Sequence, residues 1–366
     1  MSTRILKLAA AWLAVCAPSM EALAETCHDV SVFAEGLVQP WSAAWLPDGA
    51  LLVTERPGRL RTVSTEGGLS EAIEGLPTPF VQSQAGFFDV RLHPDFLENR
   101  LIYVSYATGR PDDNTLAVGR GRLDGLSVTG FEEVFRVHPS RQTPVHYGGK
   151  LAWLPDGTLL LTSGDAFDQR EQAQDRGSQL GKVLRMADDG SVPTDNPFAG
   201  REGVDPYIFT LGHRNPQGLA VDVDGAVYLH EHGPRGGDEI NQLVAGRNYG
   251  WPIVSFGVDY SGAYVTPFKT APGYEAPLHH WTPSIAPSGM AIYRGNGFAA
   301  WSGDLLIGAL VDRDLKRVSP AAPQKVQSIA ADQRKRIRDV LVAHDGEVVV
   351  LTAEDQGQIL RISPCK

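Results

Sequence analysis

Past its first two dozen residues the sequence has no apolar run long enough to cross a bilayer, which excludes a later helical membrane span. Basic charge is in short supply: 33 Lys and Arg stand against 43 Asp and Glu, for a formal net charge of −10. A soluble, acidic, well-mixed surface of that kind argues against nucleic acid or an anionic membrane as partner. Few stretches carry helical periodicity, and no linker-like stretch divides the chain. Cysteine is scarce too, with three in all.

The N-terminus has the layout of an export signal. Arg4 and Lys7 precede the apolar run Leu8–Ser19, and Ala22-Leu23-Ala24 offers a small-residue cleavage site before Glu25. The expected division is a signal peptide over 1–24 and a single catalytic domain over 25–366. No Arg-Arg pair precedes the apolar run, so the chain is expected to cross unfolded and to meet any cofactor in the periplasm. Cys16 falls in the signal, leaving Cys27 and Cys365 near the two ends of the mature chain. In an oxidising compartment that placement predicts a disulfide joining the termini.

One unit recurs along the chain: an apolar lead-in, an Asp-Gly type turn, then a short β-rich run. It reads WLPDGALLVTE from Trp45, LHPDFLENRLIYVSY from Leu92, WLPDGTLLLTSGD from Trp153 and VDVDGAVYLHE from Val221. GNGFAAWSGDLLIGAL from Gly295 is a weaker copy, and VAHDGEVVVLTAE from Val342 is the sixth. Asp-Gly between alternating apolar runs is a hairpin signal, because glycine supplies the positive φ of a tight turn. A single small sheet cannot bury both faces, but six packed radially can. The predicted fold is therefore all-β, a six-bladed β-propeller, with a terminal disulfide closing the blade where the two ends meet. The long stretches Asp165–Asp205 and Ser255–Pro287 are expected to cover one mouth of it.

Four clusters could carry chemistry. His146, followed by Tyr147-Gly148-Gly149, stands at a strand entrance where an imidazole can serve as a base. Arg214 and Asn215 precede a Pro-Gln-Gly turn that aims both at one target, and a guanidinium suits a carboxylate. In the third, His230 and His232 share a strand face without an evident third ligand. Gly233-Pro234-Arg235-Gly236-Gly237 exposes carbonyls beside Asp238 and Glu239, an all-oxygen set that favours calcium over zinc. In the fourth, Arg336 and Arg338 fall on one face by strand alternation, a doubling of positive charge suited to a polyanion.

The motifs QAGFFDVRLHPDF, HYGGKL, GHRNPQGL, EHGPRGGDEIN, NYGWP and RIRDV run in order over nearly the whole mature chain. Together they resemble the soluble glucose dehydrogenase and aldose sugar dehydrogenase family, also called glucose/sorbosone dehydrogenases. The resemblance implies a six-bladed propeller with pyrroloquinoline quinone (PQQ) over its central channel and His146 as general base. It further implies cofactor contacts from Gln84, Arg214, Asn215, Tyr260, Arg336 and Arg338. Calcium would be held by the Gly233 and Pro234 carbonyls, and a second calcium by Glu239 and the Tyr249 carbonyl. The expected reaction oxidises an aldose at C1 to a lactone and passes electrons to an external acceptor, in a monomer or homodimer.

Two positions depart from that pattern. Val311 stands where the family usually has a lysine near the quinone oxygens, so either Arg313 or Lys316 reaches in, or the cofactor is held more weakly, or the chemistry has changed. Val145 replaces an acidic residue that precedes the histidine in the glucose enzyme. The alternatives are a calcium-dependent propeller lactonase, which needs carboxylate ligands at the channel centre, and a non-catalytic binding propeller, which would show no redox activity.

Overall fold

The computed structural model describes residues 27–365, so the expected signal peptide lies outside the described residues. Almost all regular structure is strand, arranged as six small antiparallel sheets. Five have four strands and one, Pro40–Trp45, Leu51–Glu55 and Arg59–Val63, has three. The innermost strands are Pro40–Trp45, Phe87–Leu92, Gly148–Trp153, Pro216–Val221, Pro287–Ile292 and Ile337–Val342; each touches the next and the last touches the first. This is the six-bladed β-propeller expected from the repeats. No described helix is long and apolar enough to cross a membrane.

Each of the six repeats proves to be the hairpin joining the innermost strand of a blade to the second. The turns share one hydrogen-bond scheme. Leu46 N–H donates to Ala50 O and Gly49 N–H to Leu46 O; the same pair recurs at 154–158, 222–226 and 343–347. Gly49, Gly157, Gly225 and Gly346 sit at φ between 82° and 87°, which a side chain would resist. The preceding aspartate earns its place separately. Asp48, Asp156, Asp224 and Asp345 each accept from the N–H two residues on, at 2.9–3.1 Å.

Apolar residues collect into six clusters, one between each pair of neighbouring blades. The cluster of Leu341, Val349, Leu351 and Ile359 with Ala43, Leu51 and Val53 joins the last blade to the first. That last blade is completed by the N-terminal strand His28–Leu37, which pairs antiparallel with Gly357–Pro364. The Cys27–Cys365 disulfide locks the pairing at its end. Beneath the axis, Lys150 Nζ reaches Asp339 Oδ1 at 2.9 Å and Asp89 Oδ1 at 3.9 Å and lies over the Trp41 ring. Four blades therefore meet at one buried ammonium, whose carboxylate partners offset the cost of desolvating it.

The long loops divide differently from the expectation. Residues 165–181 lie on the face opposite the Asp-Gly turns. The following stretch, 187–207, folds toward the turn face instead, where Arg185 bonds both Asp195 (2.9 Å) and Asp156 of the 153–159 turn (2.7 Å). Residues 244–278 run beside Ile208–Leu211, through a parallel bridge from Leu211 to Asn248, and then reach the 233–237 loop at Arg235–Val258.

Candidate active site

A cavity of about 400 Å³ opens where the innermost strands begin and the second strands end, opposite the Asp-Gly turns. Its floor includes Trp41, Phe88 and Tyr147; its walls include Gln84, Asn215, His232, Val311, Arg336 and Arg338. A second, more apolar cavity of about 620 Å³ shares His232, Ala286 and Val311 with it and adds Gly233, Pro234 and Tyr260.

His146 sits at the entrance to Gly148–Trp153 in a left-handed conformation, φ 55°, with Gly148 and Gly149 also left-handed. The glycines permit the approach: a Cβ at 148 would stand 2.8 Å from Thr162 O, and one at 149 3.0 Å from the Phe88 ring. The backbone of His146 is pinned on both sides. Its N–H donates to Gln84 Oε1 (2.8 Å) and its carbonyl accepts from Arg141 Nη1 (2.8 Å). The imidazole is almost wholly buried, and Nδ1 meets Asp165 Oδ1 at 2.8 Å.

Asp165 also accepts from Phe167 N–H and Trp251 Nε1–H, both at 2.8 Å. As an ionised acceptor it requires the proton on Nδ1, which leaves Nε2 with a free lone pair. Burial works to raise the Asp165 carboxyl, but His146, Arg214 and the Phe167 N–H outweigh it and hold it below the usual range. Burial pushes His146 down, against Asp165 and with Arg214 and Arg141, so a neutral imidazole is favoured. Asp165 thus supplies the partner that Val145 does not, and the sequence reading had missed it.

Arg214 and Asn215 precede Pro216–Val221 and are buried. Arg214 Nη1 donates to His232 O (3.0 Å) and Gly233 O (2.7 Å), and Nη2 faces the Tyr260 hydroxyl at 3.4 Å. His232 is itself held by Pro287 O at 2.5 Å. Arg336 and Arg338 flank Ile337 and both line the cavity, as alternation implies. Arg336 Nη1 donates to Leu310 O at 3.2 Å. Arg338 has no carboxylate within ion-pair distance among the described residues; burial, with Arg336 and Arg56 nearby, pushes it down to about 10. Arg56, absent from the sequence reading, is a third cavity arginine, donating to Ser83 O and Ala85 O. Three guanidinium groups around one cavity fit a ligand with several carboxylates, which would relieve their repulsion.

Val311 lines both cavities. Neither expected substitute reaches them. Lys316 is held by Asp312 (2.8 Å) and Asp314 (2.7 Å), and Arg313 does not line either wall.

Among the described residues no three His, Cys, Asp or Glu side chains gather as metal ligands, so a cation at the 233–237 loop would rest on backbone carbonyls. A Cβ at Gly233 would stand 2.2 Å from Gly236 O, so only glycine holds this turn. The Gly233 carbonyl retains one lone pair beside its bond to Arg214. Separately, Glu239 and Tyr249 line a cavity of about 10 Å³, room for one water-sized sphere. Burial, with Glu231 adding repulsion across the strand pair, pushes Glu239 up to about 8. A divalent ion there would offset both effects.

Comparison with known proteins agrees with the fold. The family described as Glucose / Sorbosone dehydrogenase matches residues 37–361. Aldose sugar dehydrogenase YliI of Escherichia coli (strain K12) is 41% identical over 359 residues, covering 96% of each chain. The apo-form crystal structure of the soluble aldose sugar dehydrogenase from Escherichia coli superposes with a TM-score of 0.88 at 40% identity, covering 92% of this chain and 100% of that one. The PQQ-bound aldose sugar dehydrogenase of Streptomyces coelicolor gives 0.75 at 26% identity, covering 92% and 99%. With the family match running over residues 37–361 and 41% identity to the Escherichia coli enzyme, this chain belongs to the glucose/sorbosone dehydrogenase family.

Proposed function

We propose that this protein is a periplasmic, PQQ- and calcium-dependent aldose dehydrogenase that oxidises its sugar at C1 to a lactone. The observation that carries the reading is the triad Arg56, Arg336 and Arg338, which face one cavity and whose guanidinium groups form no ion pair among the described residues, next to a histidine whose tautomer is set by Asp165. In this reading Arg336, Arg338, Arg214, Asn215, Gln84 and Tyr260 bind the polyanion. The Gly233 and Pro234 carbonyls hold the active-site calcium, and Glu239 with the Tyr249 carbonyl holds a second.

A quinone held there would supply the hydride acceptor, and calcium held by the loop carbonyls would supply Lewis-acid polarisation. The chain supplies the proton transfer. His146 Nε2 takes the proton of the anomeric hydroxyl as the C1–H bond breaks and the C1–O bond becomes a carbonyl. Asp165 stabilises the imidazolium that forms, and Arg141 and Gln84 keep the backbone of His146 from shifting. An external acceptor would be needed to reoxidise the cofactor.

Titration of purified apo-protein with PQQ and calcium, followed by dye reduction with a panel of aldoses, tests the reading. Uptake of one equivalent with aldose-dependent reduction is expected; no uptake refutes it. A lactonase would need free carboxylates at the channel centre, whereas Asp89 and Asp339 are already engaged by Lys150.

A further inference from the structure

Phe167 holds a backbone conformation that its side chain disfavours. Its φ is 70° and that of Ala166 before it is 59°, left-handed values uncommon for a bulky residue. Neighbours hold the turn in place: Phe167 N–H donates to Asp165 Oδ1, Thr143 Oγ1–H to Ala166 O (2.5 Å), and Asp168 N–H to Ala166 O (2.8 Å). Strain that the surroundings over-determine points to a task for the side chain. Packing is not that task, because the residue is 47% exposed.

The ring stands beside the base. It meets the His146 imidazole edge-to-face, with centroids 5.2 Å apart. Tyr260, also exposed, lies 6.2 Å from it at a 31° tilt, with its hydroxyl toward Arg214. Arg170 and Asp259, 3.6 Å apart, tie the two loops that carry these rings. Two exposed aromatic rings, tilted to one another, therefore stand beside His146, Phe167 directly against the imidazole.

An aldopyranose has two kinds of surface. Its hydroxyls seek hydrogen bonds, and its axial C–H bonds form an apolar, slightly positive face that suits the negative face of an aromatic ring. We propose that Phe167 is a specificity-determining residue, whose exposed ring receives the C–H face of the sugar ring whose anomeric hydroxyl His146 deprotonates. The inference rests on the dehydrogenase reading and names the subsite that reading lacks.

Phe167→Gly removes the ring while relieving the left-handed backbone, so the fold is not weakened. Phe167→Tyr keeps the face. In enzyme reconstituted with PQQ and calcium, Phe167→Gly is expected to raise KM for D-glucose about three- to tenfold with little change in kcat. Phe167→Tyr should stay within about twofold, and PQQ uptake followed by absorbance should match the wild type in both. An unchanged KM in Phe167→Gly overturns the proposal, as does a parallel loss of PQQ uptake or of thermal stability. Failure of the wild type to take up PQQ refutes the dehydrogenase reading instead. In that event D-glucose binding to apo-protein, read by tryptophan fluorescence, still decides on Phe167: equal affinity in wild type and Phe167→Gly overturns it.

Discussion

Replacing Asp165 by Asn should cost turnover without costing cofactor. The carboxylate accepts three hydrogen bonds, from His146 and Phe167 at Oδ1 and from Trp251 at Oδ2. An amide has one acceptor oxygen, so one of these buried donors must then face an N–H₂. If the amide nitrogen faces His146, the ring must accept at Nδ1 and carry its proton on Nε2, which abolishes the base. If it faces Trp251, the tautomer survives but the imidazolium loses its counter-charge. Either outcome removes most of the general-base contribution, about 10²–10⁴-fold in kcat, or about 3–5 kcal/mol of barrier. Asp165 is also what raises His146 against burial, Arg214 and Arg141. Without it the imidazole pKa falls further, and the acid limb of the kcat/KM profile should move to lower pH. The assay is dye reduction at saturating PQQ and calcium over a range of aldose concentrations between pH 4 and 9, with PQQ uptake as control. A variant within threefold of wild-type turnover and with an unmoved acid limb would refute the pairing as the determinant of the base.

His146→Ala should retain PQQ uptake and lose most turnover, by about the same 10²–10⁴-fold; full activity would end the assignment of the base. Arg338→Met should weaken PQQ uptake yet raise the melting temperature of the apo-protein by on the order of 1–3 °C, since it removes a half-buried charge that Arg336 and Arg56 repel and that is pushed down to about 10. Glu239, pushed up to about 8, keeps its proton when folded and loses it when unfolded, so apo-protein stability falls as pH rises from the ordinary carboxyl range toward 8. Calcium binds the ionised form, so its stabilisation in thermal melts should be larger at pH 8.5 than at pH 6; equal shifts would exclude Glu239 as a ligand. Reducing Cys27–Cys365, or replacing both by Ser, should lower stability by up to about 5 kcal/mol in denaturant titration, with fraying of His28–Leu37 detected by hydrogen exchange.

The blade count was legible because four of the six inner hairpins need the same two residues, an aspartate to accept the N–H two positions on and a glycine at positive φ. Where another device makes the turn, the signal fades. The fifth blade has the short 3-10 helix Ala299–Trp301 between its inner strands, and its repeat is the weakest of the six. The two long loops were read as covering one mouth, yet 187–207 went to the other face. Polar sequences at a loop's two ends do not reveal which end of a strand they leave from. Tyr260 could be placed only by its motif, and Phe167 not at all, because nothing local in the chain marks a bulky residue held left-handed.

Much of the site nevertheless obeys a rule that the hairpins themselves supply. Antiparallel pairing continues in register beyond the last bonded pair, so the residue before an inner strand faces a residue after the second strand. Gly148 pairs with Ser163, and two steps further out His146 meets Asp165. Pro40 pairs with Glu55, and one step out Gln39 meets Arg56 through their side chains. Pro216 pairs with Glu231, and two steps out Arg214 meets Gly233. Ile337 pairs with Thr352, and one step out Ala353 N–H donates to Arg336 O. Pro287 pairs with Ala309, and one step out Leu310 N–H donates to Ala286 O, with Val311 next in line. Between turn and mouth, however, each of these hairpins carries a register shift of one residue, as between Leu161 and Ser163 or between Pro40 and Ser42. The base, its carboxylate, Arg56 and the carbonyl at Gly233 therefore follow by counting outward from the last bonded pair and not from the Asp-Gly turn. No residue type in the sequence marks the bulge, which is why Asp165 and Arg56 were not legible there.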